Sequence, residues 1–465
     1  MSTKKFWLIC IPVLTLVIGG ILGAYLYRGH MLNIINNPPI NVMPNDLTVK
    51  IDSTNLPIVF INTQGNTVER NEFVTSYVKI IDNGKKGLNY GDTLVYPNQK
   101  INYEGYMAIR YRGQSSYGVS DKKSYAIRAI DNPKNGKKKK SKLLGMRKGK
   151  KWILRANYFD KSMIRNTLTY TLAQSYMDFV PQNRFCEVII DGIYHGVYSM
   201  EEQITADRLK LEKPGNAGNE ITGGYLIEIG SCPLNEINLL NQITKNYEYK
   251  YPTGDKLSKE QEEYVRCLIC KMDSSIYADN DSVFIANVDI CSMIDYQLVS
   301  EFSHNGDAYG KSLFMYKYRD DKNSKWKFSI WDFDIAYGNN ASPNRSNIDT
   351  WCYASAGFGG EWWQNATRHA VYNDACRKRW LQYRNGEYTD EHINHIIDSL
   401  TNVLTVCGAE QRNANAWCSW GRSGWNTDVN PQKFISTSYE EEIAYLKEWI
   451  SRRLKWMDEE LLGDE

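Results

Sequence analysis

The stretch EFSHNGDAYGKSLFMYKYRDDKNSKWKFSIWDFDIAYG, residues 301–338, places Asp307 in a polar loop ahead of an apolar strand, LFMY. A charged turn and a second strand, KWKFSI, follow, and that strand runs into Asp332 and Asp334. Carboxylates on both sides of a hairpin can converge on one point. Phosphoryl transfer needs that arrangement: one acid orients the attacking hydroxyl, and others hold a cation that neutralises the phosphates. The competing reading of WDFD is a pair of aspartates that caps loops. Three carboxylates flanking one hairpin favour chemistry, because their repulsion is costly without a cation.

The chain has 465 residues, long enough for two or three domains or lobes. A hydrophobic content of 42% makes a large core feasible, and a net charge of +2 gives no global reason to expect nucleic acid. Residues 134–151 are the local exception, with ten lysines or arginines in eighteen residues. They read as a solvated basic loop, or as a docking patch for an anionic partner. Aromatics are not interleaved with these lysines, which speaks against single-stranded nucleic acid.

Residues 6–27 are uncharged and almost wholly apolar, and as a helix they span roughly 33 Å. They read as a single-pass transmembrane anchor after a short cytoplasmic N-terminus, 1–5, with a cleaved signal segment as the alternative. Residues 28–55, rich in Pro and Asn, read as a linker. The anchor reading puts the rest of the chain outside the cytoplasm. Disulfides are permitted there, but nine cysteines beyond the anchor leave at least one unpaired. Cys267 and Cys270 lack a second pair at metal spacing and read as half-buried helix cysteines.

Residues 56–230 alternate apolar and polar in short runs: LPIVFINT, TSYVKIID, DTLVYP, YMAIRYRG, KSYAIRAI, KWILRANY, FCEVIIDG, YHGVYSMEEQI and GGYLIEIG. These predict strands, and Asp191–Gly192 predicts a hairpin turn. A helix with an Asp cap is expected from about Asp160. Residues 231–465 read as mainly helical, interrupted by the acidic hairpin. The class is α+β, a strand-rich N-terminal lobe and a helical C-terminal lobe.

Seven blocks in order resemble the CotH kinase-like family, named after a spore coat protein. They are RGQSSYG (112–118), KKSYAIRA (122–129), LLGMRKGKKWILRANYFDKSMIRN (143–166), CEVIIDGIYHGVYSMEEQI (186–204), GGYLIEI (223–229), NGDAYGKSLFMYK (305–317) and WDFDIAYG (331–338). The resemblance implies an atypical protein-kinase-like, two-lobed fold, with ATP and Mg²⁺ (or Mn²⁺) as cofactors and a protein substrate phosphorylated on Ser or Thr. Asp307 matches the family's catalytic aspartate, and Asp332 its metal-binding aspartate, with Asp334 beside it. A typical kinase has Asn five residues after the catalytic aspartate; this chain has Ser312, a poorer metal ligand. Arg112, Gly113, Ser115 and Ser116 match a phosphate-binding turn. The family's KK-x-Tyr pattern implies that Lys122 or Lys123 pairs with the phosphates; Lys123 is expected there, sharing a strand face with Tyr125 and Ile127, with Lys122 on the other face. Glu202 matches a family glutamate, as a nucleotide ligand or as an ion pair closing the lobes. No glutamate is evident to orient the phosphate lysine. His304 reads as a packed loop histidine. The alternative to a kinase is a surface or envelope scaffold on a kinase-like fold, with little or no catalysis.

Overall fold

Alternation builds the front half. In the strand Ile101–Arg112, Met107, Ile109 and Tyr111 are buried, while Arg110 and Arg112 between them stay partly exposed. Seven such strands close a barrel in the order β1-β2-β3-β4-β5-β7-β6: β1 (Ile58–Asn62), β2 (Val74–Ile81), β3 (Ile101–Arg112), β4 (Ser124–Ala129), β5 (Lys151–Arg155), β6 (Asn183–Ile190) and β7 (Ile193–Glu202). All neighbours are antiparallel except β1 and β6, whose parallel pairing closes the ring and leaves no edge for stray pairing. The interior is filled by every second residue, among them Val59, Met107, Tyr125, Ile127, Trp152, Leu154 and Met200. Each fully buried side chain of this size stabilises by roughly 1.5–3 kcal/mol. The computed structural model describes residues 43–84, 87–230, 235–238, 244–323, 325–340, 347–354, 359–417, 420–421 and 435–463.

The hairpin expected at Asp191–Gly192 is present between β6 and β7. Both turn residues have positive φ (50° and 83°), as a two-residue hairpin turn requires, and Gly at the second position removes the Cβ penalty there. DTLVYP is a turn rather than a strand, because the Asp92 carboxylate accepts the N–H groups of Leu94 (2.9 Å) and Val95 (3.0 Å). Between β3 and β4 lies a short helix, α1 (Ser115–Val119).

The strand Tyr225–Ile229 (β8) does not join the barrel. It sits at the centre of a second, antiparallel sheet ordered β9-β10-β8-β11-β12, with β9 (Asn235–Asn238), β10 (Thr244–Tyr251), β11 (Leu313–Lys317) and β12 (Lys327–Ser329). β11 and β12 are the two strands of the acidic hairpin.

The helix expected from Asp160 begins later, as α2 (Arg165–Ala173). Asp160 does not precede its first turn directly. Its carboxylate instead accepts the Arg165 N–H (2.9 Å), the Ser162 N–H (3.1 Å) and the Arg165 guanidinium (2.6 Å), so it caps the helix from five residues away. The back half is helical as expected: α3 (Lys259–Tyr277), α4 (Ile290–Ser303), α5 (Ala370–Arg384), α6 (Asp390–Thr405), α7 (Ala409–Trp417) and α8 (Tyr439–Leu462) are its longer helices. Ser258 and Gln261 cap α3 reciprocally, and Asp289 caps α4. Cys267 is exposed and Cys270 half-buried on α3, both as free thiols. The segment 6–27 lies outside the described residues. No single described helix is long and apolar enough to cross a membrane.

Two buried arginines tie α8 to the rest of the chain. Arg165 donates to Asp160, to Glu442 on α8 (2.6 Å) and to the Ala336 carbonyl (3.1 Å). Arg453 on α8 pairs with Glu301 on α4 at 3.3 Å, and neither side chain is exposed.

Candidate active site

Barrel and second sheet face each other across a cleft of about 1330 Å³. The barrel wall is the face that alternation turns away from the barrel core: Arg110 and Arg112 on β3, Ser124, Ala126 and Arg128 on β4, and Lys151, Ile153 and Arg155 on β5. Opposite stand Asp307, Ser312, Phe314, Trp331, Asp332 and Asp334. Gln203 to Ala206, the residues just after β7, also line the cleft. Ile153, Ile204, Phe314 and Trp331 belong to one apolar cluster that bridges the two walls. Thirteen lysines and arginines line the cleft against six carboxylates, so its field favours an anionic ligand.

The acidic wall is built from three pieces. α4 ends at His304, which adopts a left-handed conformation (φ 47°) and returns its N–H to the Glu301 carbonyl at 3.0 Å. Asn305 and Asp307 follow at the mouth of the hairpin. The His304 ring is buried, with Nε2 at 3.3 Å from Thr350 Oγ1, which is the packed loop histidine expected. Beyond β12, the loop of Asp332 and Asp334 is pinned through its backbone. The Phe333 N–H donates to Asn166 Oδ1 (2.7 Å), and the Asn305 amide donates to the Asp332 carbonyl (3.0 Å). Asn166 comes from α2 and Asn305 follows α4, so two helices position this loop. Asp332 itself has φ 70°, a conformation that a non-glycine residue holds only when its surroundings impose it.

Asp334 is pushed up to about 7, by burial first and then by the Asp332 charge, while Arg155 opposes the shift. This has a sign. The ordinary value is 3.8, so between about pH 4 and pH 7 the folded chain holds a proton that the unfolded chain has released. The group's contribution to stability is fully present below that window and gone above it. Asp334→Asn is therefore expected to raise the stability of the metal-free protein at pH 8, by roughly 1–3 kcal/mol, and to leave it unchanged at pH 4. Urea unfolding at both pH values checks this; equal effects at both would refute the assignment.

The cationic wall is led by Arg155. It pairs with Asp332 across the cleft, and its Nε donates to both Glu201 oxygens (2.9 and 3.0 Å). Its Nη2 is buried without a hydrogen-bond partner. Arg112 lies over the other wall's Trp331 ring at 5.8 Å, as Arg155 does at 5.3 Å, and donates its guanidinium to none of the described residues. Two guanidinium groups with spare donors thus stand opposite three aspartates. Gly113, also on the cleft, has φ 115°, and a Cβ there would meet Ser116 Oγ at 2.4 Å. Alanine at this position would be strained by that φ and would crowd the Tyr117 N, 3.1 Å from the added Cβ.

Asp307, Ser312, Asp332, Asp334, Arg112, Gly113 and Ser116 all line this one cleft, and Ser115 opens α1 beside it. Two expected residues do not. Lys123 shares the face of Tyr125 and Ile127, as alternation requires, but that face is the barrel interior. Its Nζ donates to the Tyr117 (2.6 Å) and Ser120 (2.5 Å) carbonyls. Glu202 is fully buried away from the cleft, where it accepts from Arg147 Nε (2.9 Å) and the Gln182 N–H (3.1 Å). Its ion pair with Arg147 lies within the front half and does not join the two lobes. Sequence reasoning missed Arg155, Glu201 and Asn166. The signals were KWILR alternation, which turns Arg155 out of the barrel, and the Glu201–Glu202 pair, in which only one can face the cleft.

A cation fits the acidic wall in part. Asp307 and Asp332 both act electrostatically on Asp334. Among the described residues, however, no three acidic, histidine or cysteine side chains stand close enough to hold an ion together. Asp332 is turned to Arg155 instead.

The aspartates stand on the second-sheet side of the cleft and the arginines on the barrel side. The family model of CotH kinase protein matches residues 109–457, which contain most of both walls, and the chain belongs to that family. No curated protein matches it.

Proposed function

We propose that this chain is an atypical protein kinase that transfers the γ-phosphoryl group of ATP to a Ser or Thr hydroxyl of a protein. The observation that carries the reading is the placement of Asp307, Asp332 and Asp334 opposite Arg112 and Arg155, which keep spare donors, across one cleft. Arg112 and Arg155 hold the phosphates from the barrel side, with Gly113 letting the chain approach closely. The base lies in the apolar slot of Ile153, Ile204 and Phe314, beside the backbone of residues 203–206. Glu201 orients Arg155, the role that a helical glutamate has toward the phosphate lysine in protein kinases. Asp307 accepts the hydroxyl proton as the acceptor oxygen bonds to phosphorus and the bond to the β-phosphate oxygen breaks, releasing ADP. Asp332 and Asp334 would hold Mg²⁺ or Mn²⁺, with Ser312 nearby, once Asp332 leaves Arg155. The ion would supply charge neutralisation on the phosphates. Anchoring through residues 6–27, with the catalytic part outside the cytoplasm, belongs to the same proposal.

The second reading is a surface or envelope scaffold that keeps the fold without catalysis. It is favoured by Ser312 in place of Asn and by the engagement of Asp332 with Arg155. The test is incubation of the full-length chain with γ-labelled ATP, Mg²⁺ or Mn²⁺, and a panel of acceptor proteins. Label on Ser or Thr of the chain or of an acceptor is expected. Its complete absence with well-folded protein and either metal would leave the scaffold.

A further inference from the structure

The cationic wall continues well past the two arginines assigned to phosphate. Arg128 pairs in register with Lys151 and with Ala108, four residues along β3 from Arg112 and four along β5 from Arg155. At about 3.3 Å per residue, that row lies roughly 13 Å from the phosphate end. Arg110, Lys138 and Lys256 gather around it. Arg110 and Arg128 both stack on the Phe73 ring, at 4.8 and 3.6 Å, which holds their guanidinium groups in place.

These five cations have no carboxylate partner among the described residues. The acids that line the cleft are engaged elsewhere: Glu228 and Glu248 with Lys250, Asp207 with Lys140, Asp307 with Lys311. The cluster shows the cost of its own repulsion. Burial and then Arg128, Lys138, Lys250 and Arg110 bring Lys151 down to about 8. Like charges gathered on a concave, partly desolvated wall are relieved by an anionic ligand. The cleft also has room for a second occupant: at about 1330 Å³ it exceeds the roughly 300–1,000 Å³ of a small-molecule site.

We propose that Arg110, Arg128, Lys138, Lys151 and Lys256 form a docking subsite for an acidic stretch of the acceptor protein, rich in Asp, Glu or phosphoserine. It rests on the kinase reading only in naming the acceptor as the occupant. A stretch bound here places a residue some four positions further along, in extended conformation, at the phosphate end. The preference thus falls on Ser or Thr flanked at that distance by acidic residues.

The test is fluorescence anisotropy with a labelled peptide of repeated Asp-Ser-Glu on the full-length chain, without nucleotide, beside ATP titration. The variants are Arg128→Ala/Lys151→Ala, with Arg112→Met as the comparison, each checked for unchanged thermal unfolding. The double variant is expected to lose at least tenfold in peptide affinity and to keep ATP affinity within twofold, while Arg112→Met does the reverse. A Lys-Ser-Gln repeat peptide is expected not to bind. Unchanged peptide affinity in the double variant overturns the proposal, as does a parallel loss of ATP affinity, which would make the cluster part of the nucleotide site. Tighter binding of a single-stranded oligonucleotide than of the peptide overturns it too. If no ATP binds while the peptide still depends on Arg128 and Lys151, the kinase reading fails and the docking subsite stands.

Discussion

Asp307→Asn is expected to lower the rate of phosphoryl transfer by about 10²–10⁴-fold while leaving ATP affinity within about threefold. Asp307 lines the cleft, and its carboxylate stands 3.4 Å from the Lys311 ammonium. An amide in its place keeps the shape and removes the proton acceptor. Nucleotide contacts on Arg112, Arg155 and the apolar slot are untouched. Single-turnover transfer and ATP titration separate the two effects. A loss of ATP affinity as large as the loss of rate would show that Asp307 acts in binding and not as the base.

Arg453→Met is expected to destabilise the chain by about 3–5 kcal/mol, enough to leave much of it unfolded at 37 °C. Glu301 is fully buried and accepts hydrogen bonds from the Cys352 N–H (2.7 Å), the Tyr353 N–H (3.0 Å) and the Tyr309 hydroxyl (2.6 Å), besides its pairing with Arg453. Arg453 also donates to the Thr350 carbonyl (2.8 Å) and the Glu301 carbonyl (3.0 Å). Removing the guanidinium strands a carboxylate in the core and releases the Thr350 loop and the end of α4 from α8. Burial already pushes the Glu301 carboxyl up, and Arg453 is the main force against it. Glu301→Gln with Arg453→Met removes both charges and should recover part of the loss. Urea unfolding of the single and double variants measures this; a single variant within 1 kcal/mol of wild type would contradict it.

How much of this was legible varied with the range of the interaction. The acidic hairpin could be read because its residues are close in sequence and its strands alternate cleanly. So could the Asp191–Gly192 turn, where two residues decide the conformation. Barrel closure could not, since β1 pairs with β6 across more than a hundred residues and nothing local records that register. Lys123 shows how a correct local inference misleads: alternation placed it with Tyr125 and Ile127, but only the closed barrel tells which face is the inside. Arg155 follows from the same fact. Glu202 lies off the cleft because two adjacent glutamates on a strand point to opposite sides, and the sequence has no mark for which side is the cleft. Asn166 was quoted for its resemblance alone. Its work, holding the Phe333 N–H, depends on a contact between segments far apart in the chain.

The most direct test of the account is calorimetric titration of ATP into the full-length chain, with Mg²⁺ or Mn²⁺ and again with EDTA, alongside Asp332→Ala, Arg112→Met and Lys123→Met. The account expects metal-dependent binding that Asp332→Ala and Arg112→Met lose by tenfold or more and that folded Lys123→Met retains. Absence of binding by well-folded wild-type protein under every metal condition would contradict it, and so would binding that Lys123→Met abolishes and Arg112→Met leaves intact.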